Sequence, residues 1–142
     1  MINAYVIRIK DNEQSSRAAD RLILSMPPII KPTIFDAVVP DQVDRLMKKY
    51  KLKWTWPWEG QQFDFKSGLI MTAYPTAEPK KRIGCFLSHY MLWERCVKHD
   101  EHMIINEHDA LYFSNENLPI EKFEESRYNI IGLNTPIRAT RL

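Results

Sequence analysis

Residues 104–112 read IINEHDALY, an apolar run that stops on Glu107, His108 and Asp109 and turns apolar again at Ala110. With His102 and Met103 in front, the segment HMIIN is a short, continuous hydrophobic stretch bounded by charge. That pattern predicts a buried central strand of a sheet flanked on both faces. The preceding segment, KRIGCFLSHYMLWERCVKHD over residues 81–100, is the clearest helix in the chain. The 3.6-residue repeat places Cys85, Ser88, His89, Leu92, Trp93 and Cys96 on one side, with Glu94, Arg95 and Lys98 more exposed. A helix feeding a buried strand is an α/β unit.

The N-terminal half carries the same pattern. AYVIRI, residues 4–9, is β-branched and aromatic and predicts a core strand. Ser15 or Ser16 can cap a following helix whose apolar stripe is Ala18, Ala19, Leu22 and Ile23, and which must stop before Pro27 and Pro28. TIFDAVVP, residues 33–40, predicts a second strand ended by Pro40, after which Asp41 can cap a helix through Val43, Leu46, Met47 and Tyr50. Residues 54–79 hold Trp54, Trp56 and Trp58 among prolines and glycines without a long period, so they are expected to form an ordered excursion with one short strand or helix. The tryptophans could stack on a sugar, but anchoring an irregular loop to the core is the preferred reading. Beyond Phe113 a polar loop, a short helix near residues 119–125 and a strand YNIIGLN, residues 128–134, are expected.

Composition bounds the function classes. The 142 residues, 44% hydrophobic and 27% charged, suit one domain spanning 1–142. Lys and Arg number 20 against 18 acids, a net charge of +2, which creates no demand for nucleic acid or an anionic membrane. The basic runs at Lys48, Lys49, Lys51 and Lys53 and at Lys80, Lys81 and Arg82 are expected to be solvated faces. The N-terminal apolar stretch, interrupted by Arg8 and Lys10, is too short for a signal peptide or a membrane span, so a cytoplasmic location is expected. Cys85 and Cys96 lie eleven positions apart on one helix, about 16 Å at 1.5 Å per residue. A disulfide between them is out of reach, and buried free thiols are expected.

The chemistry concentrates at the strand end. Side chains alternate along a strand, so Glu107 and Asp109 are expected to point one way and His108 the other. Open α/β sheets bind ligands at such carboxyl ends, where two carboxylates can hold a hard cation such as Mg²⁺ or Mn²⁺. The plainer alternative is that three polar residues only solvate the strand end. His99, His102 and His108 near the same carboxylates raise a transition-metal site as a further alternative, although no familiar zinc spacing is present.

The segment RIGCFLSHYMLWERCVKHDEHMIINEHDALYF, residues 82–113, resembles the signature of glycosyltransferase family 25, the lipopolysaccharide-biosynthesis type. Ile83, Gly84, Cys85, Ser88, His89 and Trp93 match its helix, and Glu107, Asp109 and Ala110 match the acidic strand end that follows. Fainter likeness covers YVIRI with Arg17 downstream, FDAV, and YNIIGLN. The resemblance implies a GT-A-like, Rossmann-related fold with a mixed or mostly parallel sheet flanked by helices. It also implies transfer of a hexose, galactose or glucose, from a nucleotide sugar, with a UDP-hexose favoured, to a glycan acceptor such as lipopolysaccharide. The family includes collagen galactosyltransferases, so the acceptor stays open. The implied donor-binding residues are Arg17, Gly84, Ser88, His89, Glu107 and Asp109, with Glu107 and Asp109 as ligands of Mn²⁺ or Mg²⁺. Three features depart from the pattern: His108 stands where the family has Asp, Arg8 stands where an Asn is expected, and the chain stops at Leu142, which implies either a fragment whose fold is truncated at its C-terminus or a minimal relative that keeps the donor half. No catalytic base can be assigned. A non-catalytic binding or assembly module and a metal-dependent hydrolase using the histidines are the rival readings.

Overall fold

A computed structural model of the chain describes residues 1–73, 75–113 and 120–133. The order of elements is β1 (Ile2–Arg8), α1 (Glu13–Ser25), β2 (Ile30–Asp36), α2 (Pro40–Lys49), β3 (Gln61–Asp64), β4 (Leu69–Thr72), α3 (Pro79–His99), β5 (Met103–Glu107) and α4 (Ile120–Glu124). β2, β1 and β5 form a three-stranded parallel sheet in that spatial order. β3 and β4 form a separate antiparallel pair. The architecture is therefore α/β, an open parallel sheet between helices, as the alternating pattern of the sequence predicts.

Side-chain alternation along β1 divides the core into two layers. Val6 packs with Ala19 and Leu22 of α1. Tyr5 and Ile7 point the other way and meet Leu92 of α3. α2 packs on α3 through Val43, Leu46 and Leu87. Leu22, Leu87 and Leu92 are fully buried, each contributing about 1.5–3 kcal/mol of transfer free energy.

β1, not β5, is the central strand: β5 lies at an edge among the described strands. The apolar run of β5 reports that both its faces are covered, and a side-chain pattern carries no information on which strands lie beside it. β2 begins at Ile30 and ends at Asp36, so Ala37, Val38 and Val39 form the loop after the strand, and Pro40 opens α2. Proline at the first helical position loses no hydrogen bond. Pro32 is accommodated because β2 is also an edge strand.

Helix starts differ from expectation in detail. Asn12 caps α1, its Oδ1 accepting from the Ser15 amide at 2.8 Å. Ser15, one turn inside, is buried and accepts from the Ile9 amide at 2.9 Å. Asp41 lies in the first turn of α2, while the Val39 amide donates to the Gln42 side chain at 3.1 Å. Within the excursion over residues 54–79 the structure forms two short strands, not one element. Residues 128–133 form no strand. Tyr128, Ile130 and Leu133 are exposed there, and β propensity without a neighbouring ladder leaves a chain irregular; Asn134 lies outside the described residues.

Candidate functional site

Glu107 is the last residue of β5 and pairs in register with Ile7 of β1. The chain leaves β1 toward β2 on one side and returns to β5 on the other, so the carboxyl ends of β1 and β5 flank the point where strand order reverses. Open α/β sheets offer a crevice at that point. α3 supplies the opposite wall. Its residues 85 and 89 are spaced four apart and therefore lie one above the other on the helix surface. Both reach Glu107: the Cys85 thiol donates to Oε1 at 3.4 Å, and His89 Nε2 lies 3.2 Å from the same oxygen.

The electrostatics follow from that convergence. Contact with the Cys85 sulfur, then with the Glu107 carboxylate, favours the imidazolium and raises His89 from 6.5 to about 9. Glu107 is held below its ordinary value, chiefly by His89, then by the Cys85 thiol and the positive charge of His108, against partial burial that acts in the opposite sense. The pair is a salt bridge whose carboxylate is half exposed, at 52%. Water therefore screens it.

Gly84 and Ser88 belong to a different environment on the same helix. A Cβ at Gly84 would stand 2.5 Å from the backbone oxygen of Val38. Only glycine permits that approach of helix to loop. Ser88 is fully buried; its Oγ accepts from the Val38 amide at 2.9 Å and donates to the Gly84 carbonyl at 2.8 Å. Ser88 thus satisfies a loop amide just beyond β2 and locks α3 to it. Of the apolar and small positions on α3, Gly84, Leu87, Ser88 and Leu92 are buried, whereas Cys85 and Trp93 are exposed. The expectation of two buried thiols therefore fails for Cys85, which stands on the flank of the helix and not on its packed face; Cys96 is half-buried.

A cleft of about 700 Å³ opens beside this flank, lined among others by Leu52, Trp54, Trp56, Phe86, His89 and Trp93. Trp54 stacks on Trp58 with ring centroids 5.1 Å apart and meets Phe86 edge-on. Trp56 donates from Nε1 to the Thr72 carbonyl at 3.0 Å, a tie within the excursion between its start and β4. Trp54 thus anchors the irregular segment to α3, as expected, and the rings of Trp54 and Trp56 form one wall of the cleft.

In a comparison with known protein families, residues 1–135 fit the sequence model of glycosyltransferase family 25, described as LPS biosynthesis protein. The chain belongs to glycosyltransferase family 25. Family membership supports glycosyl transfer in lipopolysaccharide biosynthesis, with a sugar donor and an acceptor. Searches of curated proteins and of solved structures return no match. Among the described residues, no helix is long and apolar enough to cross a membrane.

The residues on which the sequence resembles the family divide by location. Cys85, His89 and Glu107 come together at the strand end, and Gly84 and Ser88 sit behind them in the packed joint. β5 ends at Glu107, and His108 and Asp109 form a turn closed by the Ala110 amide on the Glu107 carbonyl at 3.1 Å. Strand alternation therefore does not govern residues 108 and 109, and His108 acts on Glu107 by its charge. Asp109 is exposed in that turn. Arg17 pairs with Glu13 on α1 and lines a depression built from α1 alone, with Glu13, Gln14, Asp20 and Arg21. Arg8 pairs with Asp36 at 2.7 Å across the ends of β1 and β2.

A hard dication needs oxygen ligands. The recorded contacts of Glu107 both fall on Oε1, which leaves Oε2 outside that network among the described residues, and the exposed carboxylate of Asp109 follows two residues on. These oxygens fit Mn²⁺ or Mg²⁺ by donor type. The residue that sequence reasoning passed over as a chemical group is Cys85. The usable signal was its four-residue spacing to His89, which puts a thiol and an imidazole on one helical stripe ahead of an acidic strand end. The histidine that reaches Glu107 side chain to side chain is His89, not His99 or His102.

Proposed function

We propose that this family 25 protein transfers a hexose, galactose or glucose, from a UDP-sugar to a glycan such as lipopolysaccharide, on a GT-A-like fold in the cytoplasm. The observation that carries this reading is the position of Glu107: a carboxylate at the strand-order reversal, beside an aromatic-lined cleft, in a chain that belongs to a glycosyltransferase family. Its two free cysteines fit a reducing compartment.

Glu107 and Asp109 would hold Mn²⁺ or Mg²⁺, which when bound neutralises the charge on the departing nucleoside diphosphate. His89 holds Glu107 in its ionised form and fixes its direction through the 3.2 Å contact. Ser88 and Gly84 act on the donor site through position alone, by setting how closely α3 approaches the loop after β2. The tryptophan wall excludes water from one side of the cleft and offers flat apolar faces to a sugar ring. Arg17 is a donor contact in this reading, released from Glu13 to meet phosphate charge.

Titration calorimetry with UDP-galactose and UDP-glucose, each with and without Mn²⁺, tests the proposal. Cation-dependent binding that is lost in Asp109→Asn and in Glu107→Gln is the expected outcome. A well-folded protein that binds neither sugar nucleotide would instead favour the binding or assembly module. That second reading draws on Arg8, which the Asp36 ion pair occupies, and on His108 in place of an acid.

A further inference from the structure

The Mn²⁺ or Mg²⁺ reading uses two carboxylates and leaves the Cys85 thiol without a role. Cys85 Sγ, His89 Nε2 and Glu107 Oε1 nevertheless form a compact triangle, with ligand atoms all within 4.8 Å of one another. A tetrahedral zinc ion with Zn–S near ~2.3 Å and Zn–N or Zn–O near ~2.1 Å has ligand-to-ligand edges of roughly 3.3–3.6 Å. Of the two contacts at Glu107, 3.4 Å from sulfur falls within that range and 3.2 Å from nitrogen lies just below it. We propose that Cys85, His89 and Glu107 form a three-ligand site for Zn²⁺, distinct in donor chemistry from the carboxylate pair Glu107 and Asp109.

The chemistry of the donors selects the metal. A thiolate and an imidazole favour a borderline ion such as Zn²⁺ over Mg²⁺ or Mn²⁺, which prefer oxygen. The scaffold is rigid where it needs to be: two ligands lie one turn apart on α3, whose position is fixed by Ser88 and the close approach at Gly84. The third comes from the end of a strand paired to β1. Cys85 and Glu107 are exposed and His89 is part-exposed, so an ion can enter. Cys85 and His89 also line the 700 Å³ cleft. Three protein ligands with the fourth corner open is the arrangement that admits water or a ligand group. Binding releases the thiol proton of Cys85 and the imidazolium proton of His89 to solvent.

One consequence rests on the donor reading proposed above. Glu107 cannot serve both ions in the same geometry, so Zn²⁺ at this site opposes cation-dependent sugar-nucleotide binding.

The test is Co²⁺ absorption and Zn²⁺ calorimetry on the full chain. Co²⁺ is expected to give a thiolate charge-transfer band in the near ultraviolet, and added Zn²⁺ to abolish it. Cys85→Ser removes the band. His89→Gln and Glu107→Gln each weaken Zn²⁺ binding by on the order of 100-fold, with folding checked by circular dichroism. Cys96→Ser keeps the band, because Cys96 Sγ is turned to the Glu101 carbonyl at 2.9 Å. Asp109→Asn keeps Zn²⁺ binding even where it loses the UDP-sugar, which separates failure of one reading from failure of the other. Absence of a thiolate band from a folded parent, or a band unchanged in Cys85→Ser, overturns the site.

Discussion

Two stripes of α3 lie about 100° apart on the helix and have opposite characters. One, Gly84, Leu87, Ser88 and Leu92, is buried against the loop after β2 and the sheet. The other, Cys85 and His89, faces Glu107 at the end of β5 with its polar atoms open to a cleft. The family motif runs through both without a break, IGCFLSH over residues 83–89. Adjacent letters of that motif therefore do different work. Ser88 and Gly84 determine where the helix sits, and Cys85 and His89 determine what it presents. A change on the first stripe should be read in stability and a change on the second in ligand binding.

The largest expected effect is at Gly84. The Cβ of Gly84→Ala meets a backbone oxygen at 2.5 Å, not the end of a flexible side chain, so α3 or the Val38 loop must move. Overpacking of this kind costs about 3 kcal/mol, the upper part of its usual range, measurable as a fall in the urea midpoint. An unchanged midpoint would mean that the approach of helix and loop is looser than described. Ser88→Ala comes next. It leaves the buried Val38 amide without its acceptor and costs about 1–3 kcal/mol, again by urea unfolding. A loss below roughly 0.5 kcal/mol, the range of ordinary surface changes, would break the division between the two stripes.

Much of this was legible in the sequence, for reasons that differ by element. β1, α1 and α2 follow from local apolar period and are where the pattern places them, because their buried faces are encoded residue by residue. The lateral order of strands is not so encoded, which is why β5 could be recognised as buried but not as an edge. The strand end at Glu107 was visible from the abrupt change in polarity, but its geometry was not: alternation holds only while the strand continues, and the chain turns at His108. The burial of Ser88 beside the exposure of Cys85 depends on where α2 and the Val38 loop lie against α3. A helical wheel drawn for α3 alone groups them on one side.

A smaller effect is expected in the pH dependence of stability. His89 has its pKa raised, so its stabilising contribution is complete below the ordinary value of 6.5 and is lost as pH rises through about 9. Glu107 has its pKa lowered, so its contribution is complete above the ordinary value of 4.5 and is lost as pH falls through the depressed one. The pair therefore contributes most between 4.5 and 6.5. Solvent screening limits its amplitude to about 1 kcal/mol. His89→Gln should flatten the decline on the alkaline side when urea midpoints are compared across pH; an unaltered decline would assign it to another group.

The smallest expected effect on stability is at Cys85, and it is the sharpest test of the comparison. Cys85 is exposed, and the hydrogen bond its thiol gives to Glu107 is long and open to water. Serine keeps a donor at that place and removes no packed apolar surface. Cys85→Ser should therefore change the unfolding free energy by no more than about 0.5 kcal/mol, while it removes the sulfur on which soft-metal binding depends. A stability loss above about 1 kcal/mol, comparable with that of a buried core change, would place Cys85 with Ser88 in the joint. The motif would then be a single packed surface in which Glu107 merely terminates a strand. Stability that holds while the cobalt band disappears would show that the helix keeps its structural and chemical tasks on separate stripes.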